Sequence, residues 1–354
     1  MTTIRISGHL PPNIDCTKAP IAFGRRAVPK LNEELQNPEL ITRQRALMSL
    51  CDLVHDPEIA LEAMRLGCLE SLKRLLGDVD STVRMKTTEI FYRLTTHNVG
   101  RIAFLKSDVI LPLSQLFDEP VDVCRKNMHM AIEMMSEFPG GAVGLVEAGL
   151  IPRLVFKLTS ELEEIQELIL DTLHFCLCVD ASEALASEAV SVLKEKLSHH
   201  SACIRSKAAR ALMDISLGVQ VCNLKHTLPS MPLEGKNKLC EEEVIPILVN
   251  LLGDPSPEVA ASAAGALMSA TVTTPGKYAA LNADALPPLL GLVRSPQTNV
   301  CLNAVKAITV LAEAPEGRKE LLKHLDLLED LRGHDSEVTR RAAETAMRVI
   351  TWKP

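Results

Sequence analysis

Apolar residues recur along this chain at helical spacing, most clearly from Val244 to Ala270. Val244, Ile245, Ile247, Leu248, Leu251 and Leu252 fall at i, i+1, i+3, i+4, i+7 and i+8, one broad apolar face of an α-helix. Gly253-Asp254-Pro255 ends it, since Gly accepts a left-handed cap and Pro cannot extend a helix. Ser256 is placed to cap a second helix, with Pro257 at its first position, where the missing N–H costs nothing. In that second helix Ala263, Ala266, Leu267 and Ala270 share a face, and their small side chains let helices approach closely. Neither helix can bury so much apolar surface alone, so the pair predicts neighbours of its own kind.

The neighbours are in the sequence. A Leu/Val/Ile-Pro opening occurs at Val28-Pro29, Leu111-Pro112, Ile151-Pro152, Ile245-Pro246 and Leu286-Pro287, with weaker versions at Leu69-Glu70 and Val190-Ser191. Steps between successive second positions are 41, 42, 40, 39, 55 and 41 residues. The second-helix motif keeps phase with the first: Arg45-Ala46-Leu47-Met48, Arg210-Ala211-Leu212-Met213, Gly265-Ala266-Leu267-Met268 and Lys306-Ala307-Ile308-Thr309. A short third helix is predicted at Gly276–Leu281 and at Glu316–Leu322. The one long step predicts an inserted surface loop at about 217–234, where Pro229 and Pro232 interrupt the periodicity.

These units resemble armadillo repeats over about residues 27 to 350. A period of roughly 40 to 47 residues with two or three helices belongs to the HEAT and armadillo class. The expected fold is all-α, a right-handed armadillo/HEAT-like solenoid of about seven to eight repeats spanning 27–354. Its last unit, Leu325 to Ile350, is polar enough to serve as a cap. Residues 1–26 read as a tail. They form either a strap over the first repeat or a docking peptide that uses Phe23 and Arg25-Arg26.

Composition narrows the function. Hydrophobic residues make up 47% of the 354 but aromatics only 3%, so the core is aliphatic, which suits close-packed helices. A net charge of −7 leaves no basic footprint for nucleic acid. No apolar run reaches the length of a membrane span, and Met1 to His9 has no leader-like apolar core, so an intracellular, soluble protein is expected. Most of the ten cysteines lie inside apolar helical runs, as free core thiols do. The Met128, Met130, Met134 and Met135 stripe reads as adaptable core, and Glu161, Glu163, Glu164 and Glu167 as a solvated helix start.

Catalytic chemistry is not visible. His199-His200-x-x-Cys203 has metal-ligand residue types but no fourth ligand nearby, and Cys176 and Cys178 point to different faces of a helix. The Gly-Lys pairs at 235–236 and 276–277 lack the rest of a phosphate loop. No enzyme, cofactor or metal is expected.

A binding surface remains. The armadillo resemblance implies that the exposed side of each unit's last helix lines a groove for partner proteins. Carried over by register, that side holds Thr42, Arg45 and Ser49; Lys86, Glu89 and Arg93; Lys126, His129 and Glu133. Further along it holds Lys207, Arg210 and Asp214; Ser262, Gly265 and Ser269; Asn303, Lys306 and Val310. Nuclear-import armadillo receptors repeat Asn here, with Trp one turn before. This chain instead has Ser49, Arg93, Glu133, Asp214, Ser269 and Val310 at the Asn position, and its one Trp is Trp352. That departure argues against a receptor for extended basic peptides and for one folded or helical partner.

Three segments carry a closer resemblance: Thr17–Gly24 with Leu31–Leu35, Ile204–Leu212, and Ala312–Lys319. Together they resemble the radial spoke head 14 family of armadillo-repeat proteins. The resemblance implies a component of axonemal radial spokes in cilia and sperm flagella. Its expected partners are radial spoke and other axonemal proteins, not nucleic acid or membrane, with the chain a monomer within a larger complex. The alternative on repeat architecture alone is a soluble cytoplasmic cargo or assembly adaptor.

Overall fold

The computed structural model describes residues 26–218 and 231–352. Among them the chain is all-helical, and it divides into two compact units at Ala148 and Gly149. A single uninterrupted stack was the expectation, so each unit is taken on its own.

The first unit holds α1 (Ala27–Glu34), α2 (Leu40–Leu53), α3 (Pro57–Arg65), α4 (Cys68–Leu75), α5 (Ser81–Thr95), α6 (Asn98–Lys106), α7 (Ile110–Ser114), α8 (Asp122–Ser136) and α9 (Pro139–Glu147). The second holds α10 (Ile151–Lys157), α11 (Glu163–Leu177), α12 (Ser182–Ala186), α13 (Ala189–Lys196), α14 (Ala202–Leu217), α15 (Met231–Glu241), α16 (Val244–Leu251) and α17 (Pro257–Ala270). It continues through α18 (Thr274–Asn282), α19 (Leu286–Val293), α20 (Thr298–Leu311), α21 (Pro315–Leu321), α22 (Leu325–Asp330) and α23 (Glu337–Ile350).

Two short helices alternate with one long one. The long helices pack in series, α2 on α5 on α8 in the first unit and α11 through α14, α17 and α20 to α23 in the second. Their inner faces are aliphatic: Leu47, Leu50, Ile90 and Leu94 in one unit, and Ile169, Leu212, Leu267 and Ile308 in the other, all essentially without solvent contact. Phe91 is an exception to the aliphatic rule and meets Phe104 edge-on at 5.3 Å between ring centres. The methionine stripe divides: Met128 and Met135 are core, whereas Met130 and Met134 are half-buried.

Three devices recur. The backbone is left-handed just before most of the second short helices: at Gly67, Glu188 and Glu243 directly before α4, α13 and α16, and at Asp108, Gly149 and Asp284 two residues before α7, α10 and α19. Gly253, expected to be a left-handed cap, is not among them, because α16 ends in an αR residue, Leu252, whose N–H bonds back to Asn250 and Val249. A second device is a glycine early in the first short helix. At Gly100, Gly141, Gly276 and Gly317 an added Cβ would lie only 1.9 to 2.3 Å from a carbonyl oxygen of the preceding long helix.

The third device is an arginine near the start of the long helix. Arg84 donates through Nη1 to the Asp78 and Val79 carbonyls of its own turn. Its Nε and Nη2 grip Glu119 in the next turn at 2.9 and 2.8 Å. Arg43 does the same to Asp78, and Arg205 to Asp254. Ser256, expected to cap α17 with its hydroxyl, instead donates that hydroxyl to Glu258 Oε2 at 2.8 Å.

The expected insertion is shorter in the structure than in the pattern. Leu217 is the last residue of α14, and Met231 to Glu234 already belong to α15. Pro232 was read as a breaker, but in the first turn of a helix its missing N–H has no partner to lose. The remainder, 219–230, and the tail, 1–25, lie outside the described residues. Among the described residues no single helix is long and apolar enough to cross a membrane.

Candidate partner-binding face

Each long helix buries two of its sides and leaves a third half-exposed. On α5 that third side carries Lys86, Glu89 and Arg93. Glu89 sits between the two cations, 2.7 Å from Lys86 Nζ and 2.6 Å from Arg93 Nη2. Burial alone would raise the Glu89 carboxyl, but hydrogen bonds from Lys86 and Arg93 outweigh it and hold the group below the usual glutamate range. Arg93 also reaches the His55 ring.

The long helices α2, α5, α8 and α11 start at Leu40, Ser81, Asp122 and Glu163, a step of 41 residues each time. Carried back from α5, that step keeps Arg45 on the row; carried forward, it lands on Asn127, Met130 and Met134. Lys126, His129 and Glu133 are therefore one position off. His129 is fully buried, its ring 5.1 Å from that of Phe117, and Lys126 and Glu133 are half-buried on the flank. Ser49 is likewise off the row and buried with the core. A one-residue shift turns a helix position by about 100°, enough to move a side chain from surface to core. The register carried over from the armadillo resemblance differs here by one residue from the 41-residue step of the long helices.

In the second unit the row is Asp171 on α11, Lys207 and Arg210 on α14, Ser262 on α17, and Asn303 and Lys306 on α20; Gly265, expected on it, is buried, with Met213 and Asn303 in the space a side chain would take. Asp171, which the sequence reading did not single out, accepts from Lys207 Nζ at 2.6 Å and Arg210 Nη2 at 2.8 Å. Asp214 departs from expectation. It is only 4% exposed and bonds His174 Nδ1 at 2.7 Å, so it faces the α11–α14 contact and not a partner. Ser269 is buried too, against Ser216. Asn303 Nδ2 donates to the Ala261 carbonyl at 2.9 Å, tying α20 to α17.

Beyond Lys306 the row becomes apolar. Met268, Thr309, Val310, Val338, Ala342 and Thr345 line a cavity of about 390 Å³ between α17, α20 and α23, with Lys306 and Arg341 at its rim. Only Val310 and Lys306 of these were marked from sequence. Val338, Arg341, Ala342 and Thr345 lie on α23, read simply as a cap, although Ala342 and Thr345 fall on the same row; Met268 and Thr309 flank the row on α17 and α20.

His199 and His200 stack with ring centres 4.3 Å apart. His200 Nε2 meets Glu163 at 2.8 Å, so Glu163 and not Cys203 is their neighbour. The eight cysteines among the described residues are free. Burial pushes the Cys51 thiol up to about 11 and those of Cys68 and Cys176 to about 12, which makes them inert core groups.

Comparison with known proteins agrees with this architecture. A HEAT repeat profile matches residues 244–270, the α16–α17 pair. An engineered protein known from a crystal structure is 21% identical with a TM-score of 0.62, the match covering 93% of this chain and 89% of that one. A second engineered protein is 21% identical with a TM-score of 0.61, over 68% of this chain and 96% of that one. The fold is an all-α repeat solenoid of the armadillo/HEAT type, an architecture suited to holding other proteins.

Proposed function

We propose that this chain is a non-enzymatic structural adaptor of axonemal radial spokes, holding partner proteins on the exposed row of its long helices. The observation that carries the adaptor reading is the make-up of that row. Half-exposed cations grip single carboxylates at Glu89 and Asp171, and an open apolar bed lies between α17, α20 and α23. Such a surface offers charge for orientation and apolar area for affinity. The axonemal part of the reading rests on the resemblance of residues 17–24 with 31–35, 204–212 and 312–319 to the radial spoke head 14 family. That resemblance implies the cilium or flagellum, with spoke proteins as partners. The test is extraction. Detergent-stripped axonemes should retain the protein through moderate salt, together with other spoke proteins. Release with the soluble fraction would make it a cytoplasmic cargo or assembly adaptor instead.

A further inference from the structure

We propose that His174, Cys178 and Asp214 form a binding site for a divalent transition metal of the zinc class, at the contact between α11 and α14. The site goes beyond the partner-binding reading, and no residue of it belongs to the exposed row.

His174 and Cys178 are one helical turn apart, at i and i+4, so they project from the same side of the end of α11. Asp214 comes from the last turns of α14. The imidazole, thiol and carboxylate donor atoms all lie within 4.8 Å of one another. Tetrahedral zinc, with bonds of about 2.0–2.3 Å, sets its donors roughly 3.3–3.8 Å apart, so closure needs side-chain movements of only about 1 Å. Nitrogen, sulfur and oxygen donors together select zinc or cobalt over calcium and magnesium, which take oxygen alone.

Burial supplies the second argument. Asp214 is a carboxylate sunk into a helix contact, where an isolated charge is costly. It is held there by His174 Nδ1 at 2.7 Å. Cys178 is half-buried beside it, its sulfur within 4.8 Å of the carboxylate and imidazole donors. A divalent cation cancels both anions at once, leaving a neutral three-ligand site with its fourth position open to water or a partner's side chain. Binding forms the metal–sulfur bond as the thiol proton leaves to solvent. The same positions in neighbouring repeats carry Met213 and Met268 for His174, and Ser269 and Val310 for Asp214, so the donor set is particular to this contact. The cluster of Glu163, His199 and His200 is different in kind: the Glu163 and His200 side chains are 44% and 78% exposed, and their contact is an ordinary surface pair.

The test uses the full chain and cobalt(II) alone, with zinc as competitor. One cobalt per chain should bind, giving a thiolate-to-cobalt charge-transfer band and the intense visible bands of a tetrahedral ion, both displaced by zinc. Cys178→Ser should abolish the charge-transfer band. Asp214→Asn, which keeps a hydrogen-bonding group beside His174, should weaken binding by about tenfold or more. The double variant His199→Ala/His200→Ala should leave the spectrum unchanged. Absence of the band from the folded full chain overturns the proposal. So does a band that survives Cys178→Ser or disappears with the His199/His200 pair. Circular dichroism melts of each variant separate loss of the site from loss of the fold.

Discussion

Arg84 shows how one side chain holds a repeat in place. Its guanidinium closes its own turn through two carbonyls and clamps Glu119 of the next turn with two parallel bonds, and the Glu119 residue is only 7% exposed. Replacing Arg84 with Met keeps the apolar stem but leaves a buried carboxylate without its cation, which costs about 3 kcal/mol, measurable by urea unfolding at pH 7. The pH dependence has a definite sign. The hydrogen bond from Arg84 holds the folded Glu119 carboxyl below its ordinary value of 4.5. Its contribution is therefore complete above that value and is lost as pH falls through the lowered folded pKa. The Arg84→Met penalty should shrink in the same window; a penalty that stays constant down to pH 3 would show that the pair contributes through packing alone. The arginine itself is plain in the sequence, but its acid lies 35 residues on, and nothing local announces the pair.

Among the elements, two glycines illustrate two different constraints. Gly67 has φ +77 and nothing within 4 Å of where a Cβ would sit. Gly67→Ala should thus cost about 1 kcal/mol, from left-handed strain alone. Gly276 has room in φ but not in space, since its Cβ would lie 2.3 Å from the Ala270 carbonyl oxygen. That neighbour is backbone and cannot swing aside, so Gly276→Ala should cost roughly 2–3 kcal/mol. Glu188→Gly, at a left-handed position already occupied by a side chain, should leave stability unchanged or raise it by up to about 1 kcal/mol. Thermal melts should place Glu188→Gly highest, Gly67→Ala next and Gly276→Ala lowest, and equal losses for Gly67 and Gly276 would defeat the distinction. The helices themselves were legible because apolar spacing and Pro-Gly punctuation are local signals. The left-handed turns were not, because Asp108, Glu188, Glu243 and Asp284 are ordinary charged residues whose backbone is set by the packing of the helices they join.

At the scale of the whole molecule, repetition made the fold readable and also misled the reading of the site. The steps near 41 residues were enough to predict an all-α solenoid, yet the register carried over from the armadillo resemblance put Lys126, His129 and Glu133 one place off a row that the step between long helices fixes at Asn127, Met130 and Met134. On that row the charged residues and the apolar bed should act differently on a partner. Lys207→Glu with Arg210→Glu leaves Asp171 among like charges on a half-exposed surface. It should slow association and flatten its salt dependence while leaving helicity intact. Val310→Asp introduces a charge into the cavity between α17, α20 and α23. It should chiefly speed dissociation, with affinity falling by about tenfold or more, because apolar contact area is held mainly in the off-rate. Both effects can be read from surface-immobilised chain and spoke proteins released from axonemes. If Val310→Asp changes neither rate while the charge reversal does, the partner sits on the charged long helices and never reaches the apolar bed. If neither variant alters binding, the exposed row is not the interface.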